Sequence, residues 1–287
     1  MTERAAEGTQ KIVPRGGENL LGSPGGVGLV GGVIELFHTD LGGAGRPPLI
    51  VLHGLLGSSR NWQTTGRDLA AHFHVHALDA RNHGRSPHVS EMSYDAMADD
   101  LRRWLDRAGL ARVTLVGHSM GGKTAMLFAC RHPERVERLV VVDIAPRAYA
   151  WQAHRAEFLA MRELNLENLQ SRHEAELRFE ARVADLGMRK FLTTNLGRDA
   201  QGRWQWTINL PVLTEALPQL EGDALSDGDH FDGPTLFIVG GRSRYVQSED
   251  HDLIRRHFPQ ARIETIEGAG HNPHMDAREA FVRAVLG

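Results

Sequence analysis

Gly117-His118-Ser119-Met120-Gly121 follows the apolar run Val113-Thr114-Leu115-Val116 and sets a serine between two glycines. An apolar run of that length is typical of a strand buried on both faces. A serine at the sharp turn from such a strand into a helix has a strained backbone. Glycines two residues before and after it remove the Cβ atoms that would collide with the neighbouring helix and strand. The hydroxyl is thereby pushed outward, so the segment reads as a nucleophile elbow centred on Ser119. The pentapeptide by itself is common. Its weight comes from its context, which is a strand before it, a helix after it and a histidine far downstream.

On both sides of the elbow, strand and helix patterns alternate. Strands are predicted at 33–38, 49–52, 74–78, 113–116, 136–142, 235–239 and 262–266, and helices at 61–72, 94–108, 121–132, 248–258 and 276–286. The 94–108 segment is amphipathic, with Met97, Leu101, Trp104, Leu105 and Ala108 on one face. The alternation predicts an α/β fold whose mostly parallel central sheet carries helices on both faces. It breaks between about 145 and 232. There the sequence offers helical stretches near 151–164, 168–185, 187–194 and 211–217, a polar turn at 197–202 and no strong strand. We read 32–146 and 233–287 as the core, and 147–232 as a helical cap inserted between two late strands. Such a cap lies over the carboxyl edge of the sheet, where open α/β folds bind ligands. Residues 1–31, rich in glycine and polar side chains, read as a flexible extension.

A chain of 287 residues can bury one sizeable core, and 33 basic against 36 acidic residues leave a net charge of -3. That balance argues against a nucleic-acid or anionic-membrane surface. The single cysteine, Cys130, excludes an internal disulfide and reads as a buried structural thiol. Without a signal-peptide pattern or an apolar run of membrane-spanning length, a cytoplasmic location is expected.

A serine hydroxyl is a weak nucleophile at neutral pH and requires a base, and that base requires an orienting group. Among 16 histidines, His271 is the candidate base. It lies in Gly268-Ala269-Gly270-His271-Asn272-Pro273, on a loop after the last strand, where small neighbours let an imidazole reach the sheet edge. The bend His53-Gly54-Leu55-Leu56-Gly57 follows an earlier strand. The N–H groups of Leu55 and of Met120, the residue after the nucleophile, are the expected oxyanion donors. Losing one such donor typically costs about 3 kcal/mol of transition-state stabilisation. His53 and His118 are expected to shape the substrate pocket. His72, His74 and His76 share one side of a strand, but no carboxylate or second histidine pair accompanies them at a recognised spacing, so no metal site is read there.

Taken together, these segments resemble the α/β-hydrolases from residue 33 to the end. His53-Gly54, Asp79-Ala80-Arg81-Asn82-His83-Gly84-Arg85-Ser86, Gly117-His118-Ser119-Met120-Gly121-Gly122, Val141-Val142-Asp143-Ile144-Ala145-Pro146 and Gly270-His271 all occur in that family's order. The Arg-Asn-His-Gly-Arg-Ser and Val-Asp-Ile-Ala-Pro segments are similar, more narrowly, to the small esterases of the bacterial YbfF type. The resemblance implies a carboxylesterase or acyl thioesterase that acts on modest acyl chains and needs no cofactor or metal. The family most often places its third catalytic residue, an acid, in a Gly-x-x-Asp-x-x-Val pattern. Here the segment is Gly240-Gly241-Arg242-Ser243-Arg244-Tyr245-Val246, with Ser243 at the acid's position. A serine cannot stabilise an imidazolium as an anion does.

Asp143, 24 residues past Ser119 at the end of the next strand, is the expected replacement. Adjacent strand ends lie about 4.8 Å apart, within side-chain reach. Glu249 and Asp250 are weaker rivals at a helix start, and Asp79 reads as a structural turn or ion-pair residue. Trp204 and Trp206 are expected to line the acyl pocket. The reading is therefore a serine hydrolase that cleaves small-molecule carboxylic esters or thioesters of small to medium acyl groups through an acyl-enzyme. The alternatives are a carbon–carbon bond hydrolase, a haloperoxidase-like perhydrolase of the same fold, or a non-catalytic ligand receptor.

Overall fold

The structure, a computed structural model, describes residues 34–149 and 152–287. The extension expected at 1–31 lies outside the described residues. In chain order the elements are β1 (His38–Asp40), β2 (Pro48–Leu52), α1 (Gln63–Leu69), β3 (His74–Leu78), α2 (Tyr94–Arg107), β4 (Val113–His118), α3 (Met120–Arg131) and β5 (Val136–Val142). After α4 (Gln152–Glu163), α5 (Arg172–Phe179) and α6 (Leu186–Thr193) come β6 (Leu196–Arg198), β7 (Trp204–Trp206) and α7 (Leu210–Glu221). The chain finishes with β8 (Thr235–Gly240), α8 (His251–His257), β9 (Ala261–Ile266), α9 (Pro273–Asp276) and α10 (Arg278–Leu286).

Seven strands form one sheet in the order β1-β3-β2-β4-β5-β8-β9, parallel throughout except for β1, which runs antiparallel to β3. Alternate side chains of each strand enter different cores, as a period of two requires. Leu49, Val51, Val75, Ala77, Val116 and Val140 pack with Trp62 and Leu69 from the α1 side and Phe281 and Val285 of α10. Ile50, Leu52, Leu78, Leu115 and Val141 pack on the opposite face with Leu101 and Trp104 of α2, Met126 and Phe128 of α3, and Ile254 of α8. With both faces covered, the central strands are continuous apolar runs, which explains why they were legible without alternation.

The segment between β5 and β8 departs from expectation in two places. The helix expected over 168–185 is only α5. Ser171 caps it by accepting the Glu174 amide at 3.1 Å. The chain then turns after Phe179, whose carbonyl takes the Val183 amide, and Asp185 caps a separate α6 through the Met188 amide at 2.6 Å. The polar turn at 197–202 is in fact the tip of an antiparallel hairpin, β6–β7, with Leu196 opposite Trp206 and Arg198 opposite Trp204. Strands of three residues are too short to print a periodicity, although Trp-Gln-Trp has the aromatic alternation that favours a strand. Hydrogen bonds from this segment reach loops at the carboxyl edge of the sheet. Asn195 Nδ2 donates to the Leu56 carbonyl at 2.9 Å and the Asn209 amide to the Asn82 carbonyl at 2.9 Å. From the core, Lys123 Nζ of α3 donates to the Gly222 carbonyl at 2.6 Å. No helix among the described residues is long and apolar enough to cross a membrane.

Candidate active site

Ser119 sits between β4 and α3 with φ +51 and ψ -115, a backbone conformation that L-residues with a Cβ rarely adopt. Strain of this kind, of order 1–3 kcal/mol, persists only where the surroundings enforce it. Here the Ser119 amide donates to the Val142 carbonyl at 3.1 Å, and the Ser119 carbonyl accepts the Lys123 amide at 3.0 Å. The flanking glycines are sterically required. A Cβ on Gly117 would lie 2.2 Å from the Gly121 carbonyl oxygen, and one on Gly121 would lie 2.6 Å from the carbonyl oxygens of Leu52 and His53.

Asp143 follows β5, the strand beside β4, and also has positive φ, +51. Its amide donates to the Ile238 carbonyl of β8 at 2.9 Å, which turns the side chain across the end of the sheet. The carboxylate has no solvent exposure. Its Oδ1 accepts the Gly240 amide at 2.9 Å, and its Oδ2 lies 2.8 Å from Nδ1 of His271. Ser243 Oγ donates to the same Oδ2. The chain thus brings together Asp143 and His271, residues 128 positions apart.

His271 rides on the loop between β9 and α9. That loop is braced by the Gly270 amide, which donates to Asp276 Oδ2 at 2.7 Å. The imidazole stacks on the Tyr245 ring at 3.7 Å between centroids and 17° between planes. The loop is also tied to the elbow, because His118 Nε2–H, on the residue before Ser119, donates to the His271 carbonyl at 2.7 Å. Burial holds His118 well below the ordinary imidazole range, and the nearby His271 reinforces this. His118 is therefore a neutral hydrogen-bond donor, and that bond joins the two loops.

His53 is likewise committed to the fold. Nδ1–H donates to the Gly54 carbonyl at 2.8 Å, and Nε2 accepts the Ala80 amide at 2.9 Å. Burial lowers its pKa as well. Its ring lies 5.0 Å from that of His83, whose Nε2 accepts the Leu56 amide at 3.3 Å, so the two imidazoles fix the bend that carries Leu55. Neither the Leu55 nor the Met120 amide has an acceptor among the described residues. Both are buried beside the elbow strand, one at the end of β2 and one at the first turn of α3, so two backbone N–H groups remain uncommitted at adjoining strand ends.

The other sequence-level candidates have different partners. Asp250 pairs with Arg147 at 2.7 Å and accepts the Gln247 amide, and Glu249 is exposed. Asp79 takes the amides of Ser59 and Arg85 at 2.6 and 2.8 Å, and is a turn residue. Arg81 pairs with Asp100 rather than with Asp79. Trp204 is flanked by the guanidinium groups of Arg198 at 4.0 Å and Arg172 at 5.5 Å, and Trp206 faces Leu196. The Arg198 and Leu196 contacts lie within the hairpin and the Arg172 contact comes from α5, and none of them joins either tryptophan to Ser119 or His271. Cys130 is half-buried on α3, where burial pushes its thiol up to about 12 and leaves it unreactive. His72 lies outside β3, but His74 and His76 do share a face, and the carboxylate absent from their sequence neighbourhood is supplied by Asp40 across the β1–β3 pairing.

Ser243, Tyr245 and Tyr149 are the residues sequence reasoning missed. Tyr149 Oη accepts the Ala145 amide at 2.8 Å and donates to the Tyr245 carbonyl at 2.6 Å, which braces the Tyr245 ring against His271. Ser243 stood in the acid's place in the sequence pattern, a signal that something else occupies the role. Nothing in the sequence marked either tyrosine.

A strained serine at the strand-to-helix turn of a parallel sheet, with a histidine–carboxylate pair at the neighbouring strand ends, defines a hydrolase of the α/β class. The chain belongs to the alpha/beta hydrolase fold family, whose pattern matches residues 47–278. It is 41% identical to the sn-1-specific diacylglycerol lipase ABHD11 of Mus musculus over 251 residues, 85% of this chain and 81% of that protein. It is 36% identical to the esterase YbfF of Escherichia coli (strain K12) over 239 residues, covering 83% and 91% of the two. Among solved structures, a marine microorganism esterase superposes with a TM-score of 0.85 at 36% identity, covering 88% of this chain and 98% of that one.

Proposed function

We propose that the chain is a serine esterase in which Ser119, His271 and Asp143 form the catalytic triad and the amides of Leu55 and Met120 the oxyanion hole. The chain is an ester-cleaving hydrolase of its family, and relatives at 36–41% identity are named as esterases and a lipase. The observation that carries the assignment of roles is the 2.8 Å contact between Asp143 Oδ2 and His271 Nδ1 at a carboxylate with no solvent exposure.

With Nδ1–H donated to Asp143, the neutral tautomer leaves Nε2 as the basic nitrogen. Ser119 Oγ attacks the acyl carbon as His271 Nε2 takes its proton. The carbonyl oxygen gains negative charge between the Leu55 and Met120 amides, and the N-terminal end of α3 favours that charge. Collapse of the tetrahedral intermediate releases the alkoxide, which takes the proton from His271. Water, deprotonated by the same nitrogen, then hydrolyses the acyl-enzyme. The Asp143 carboxylate holds the imidazole in place and stabilises the imidazolium that forms. The substrates are small-molecule carboxylic esters of small to medium acyl chains, thioesters included.

A fluorophosphonate probe followed by peptide mass spectrometry tests the reading. A label on Ser119, abolished by Ser119→Ala, is the expected outcome. A label elsewhere, or none, overturns it.

A further inference from the structure

At the sheet edge farthest from β9, on the α2 face, three metal-ligating side chains converge. Asp40 of β1 stands directly opposite His76 of β3 in the antiparallel register, and His74 lies two residues from His76 on the same face. His74 Nε2 is 3.0 Å from Asp40 Oδ2, and the His74 and His76 rings are 4.2 Å apart between centroids. One donor atom from each of the three residues lies within 4.8 Å of the others.

We propose that Asp40, His74 and His76 form a binding site for one divalent transition-metal ion of the zinc type. Two imidazoles and one carboxylate are a donor set suited to Zn2+, Co2+, Ni2+ or Cu2+ rather than to Mg2+ or Ca2+. Metal–nitrogen and metal–oxygen bonds of about 2.0–2.2 Å place tetrahedral donors about 3.3–3.5 Å apart. The three donors, now within 4.8 Å of one another, would draw together to that spacing around the ion. His76 is 9% exposed, yet neither of its ring nitrogens has a hydrogen-bond partner among the described residues, and Nδ1 is fully buried. A buried imidazole without a partner is costly, and a bound cation removes that cost. Asp40 is already oriented as an outer partner would orient it, since Oδ1 accepts the Gly42 amide at 2.8 Å and Oδ2 is directed at His74. His38, two residues from Asp40 on the same strand face with its ring 5.6 Å from that of His76, stands outside this cluster, so water would complete the coordination. The ion would cross-link β1, an edge strand of only three residues, to the sheet.

The site is tested on the full chain, stripped with chelator, by competition between the protein and a chromogenic Zn2+ indicator, with thermal unfolding measured in parallel. The expected result is a tight class of one Zn2+ per chain that raises Tm. Binding should weaken at least about tenfold in His74→Ala and in Asp40→Asn, both partly exposed positions that tolerate substitution. A His154→Ala control, which removes a histidine–glutamate pair elsewhere, leaves affinity unchanged. Cobalt should give the visible absorption of a four- or five-coordinate ion, lost in the same two variants. Zinc binding by His74→Ala and Asp40→Asn equal to that of the unmodified chain, or no binding at stoichiometric zinc, overturns the proposal.

Discussion

Ser243 donates its hydroxyl to Asp143 Oδ2, the same carboxylate oxygen that faces His271 Nδ1. The position where the family most often carries its acid holds a serine that hydrogen-bonds the Asp143 carboxylate at the end of the neighbouring strand. The carboxylate keeps three protein partners, the Gly240 amide, Ser243 and His271, although it arrives from β5 rather than from β8.

Ser243→Ala removes one of those partners and leaves the other two. A hydrogen bond to a charged group contributes about 1.5–3 kcal/mol. The expected result is a kcat roughly tenfold lower on a short-chain nitrophenyl ester, with KM nearly unchanged. Moving the acid is the sharper form of the test. Asp143→Asn combined with Ser243→Asp should regain at least about tenfold in kcat over Asp143→Asn alone, because the new carboxylate occupies the more usual position. If the double variant is no faster than the single one, Ser243 is not within reach of the imidazole.

The Tyr245 ring lies flat on His271 and limits its rotation. Aromatic contacts of this kind are worth about 0.5–1.5 kcal/mol. Tyr245→Leu should lower kcat several-fold while Tyr245→Phe stays close to the unmodified enzyme. Steady-state kinetics at saturating ester separate the two. Equal losses in both variants would mean that the hydroxyl, rather than the stacked ring, is what matters.

The elements that were legible in the sequence are those whose physics is local. Buried parallel strands print as apolar runs, as in Val113–His118 and Val136–Val142, and the two elbow glycines follow from steric exclusion around Ser119. Asp143 and His271 could be named from strand ends and chain order. What could not be read was long-range. The Ser243 support spans 100 residues, the Tyr149–Tyr245 brace 96, and the Asp40–His74 contact depends on an antiparallel edge pairing. The β6–β7 hairpin was missed because strands of three residues carry too little pattern, and the long 168–185 helix was over-read because Ser171 and Asp185 act as caps.

Gly117→Ala puts a methyl group 2.2 Å from a backbone oxygen that cannot move without breaking the elbow. Overpacking against backbone should cost about 3 kcal/mol or more. Chemical denaturation should show a lower midpoint with an unchanged slope. A midpoint equal to that of the unmodified chain would show that the turn is less constrained than the geometry implies.

Stability should also depend on pH through buried imidazoles. Burial lowers His83 and His274 from 6.5 to about 3, reinforced by His53 in the first case and by His271 in the second. Below pH 6.5 the unfolded chain binds protons that the folded chain refuses, so stability is full above 6.5 and falls as pH drops toward 3. At pH 5 each contributes a loss of about 2 kcal/mol. Thermal unfolding should give a Tm that is flat from pH 7 to 8 and declines steeply from pH 6.5 to 4.5. A flat Tm across the lower range would show that these histidines protonate in the folded state.

If Asp143 is the acid that orients His271, the kcat of Asp143→Asn set beside that of Asp250→Asn shows it. Asp143→Asn should fall by about ten-thousandfold, since the amide neither carries the charge nor sets the imidazole tautomer. Asp250→Asn, which alters the pair with Arg147 and the bond from the Gln247 amide but touches neither Ser119 nor His271, should stay within a few-fold of the unmodified chain. An Asp143→Asn enzyme that keeps kcat within about tenfold, or an Asp250→Asn enzyme that loses as much as was expected of Asp143→Asn, would contradict the assignment.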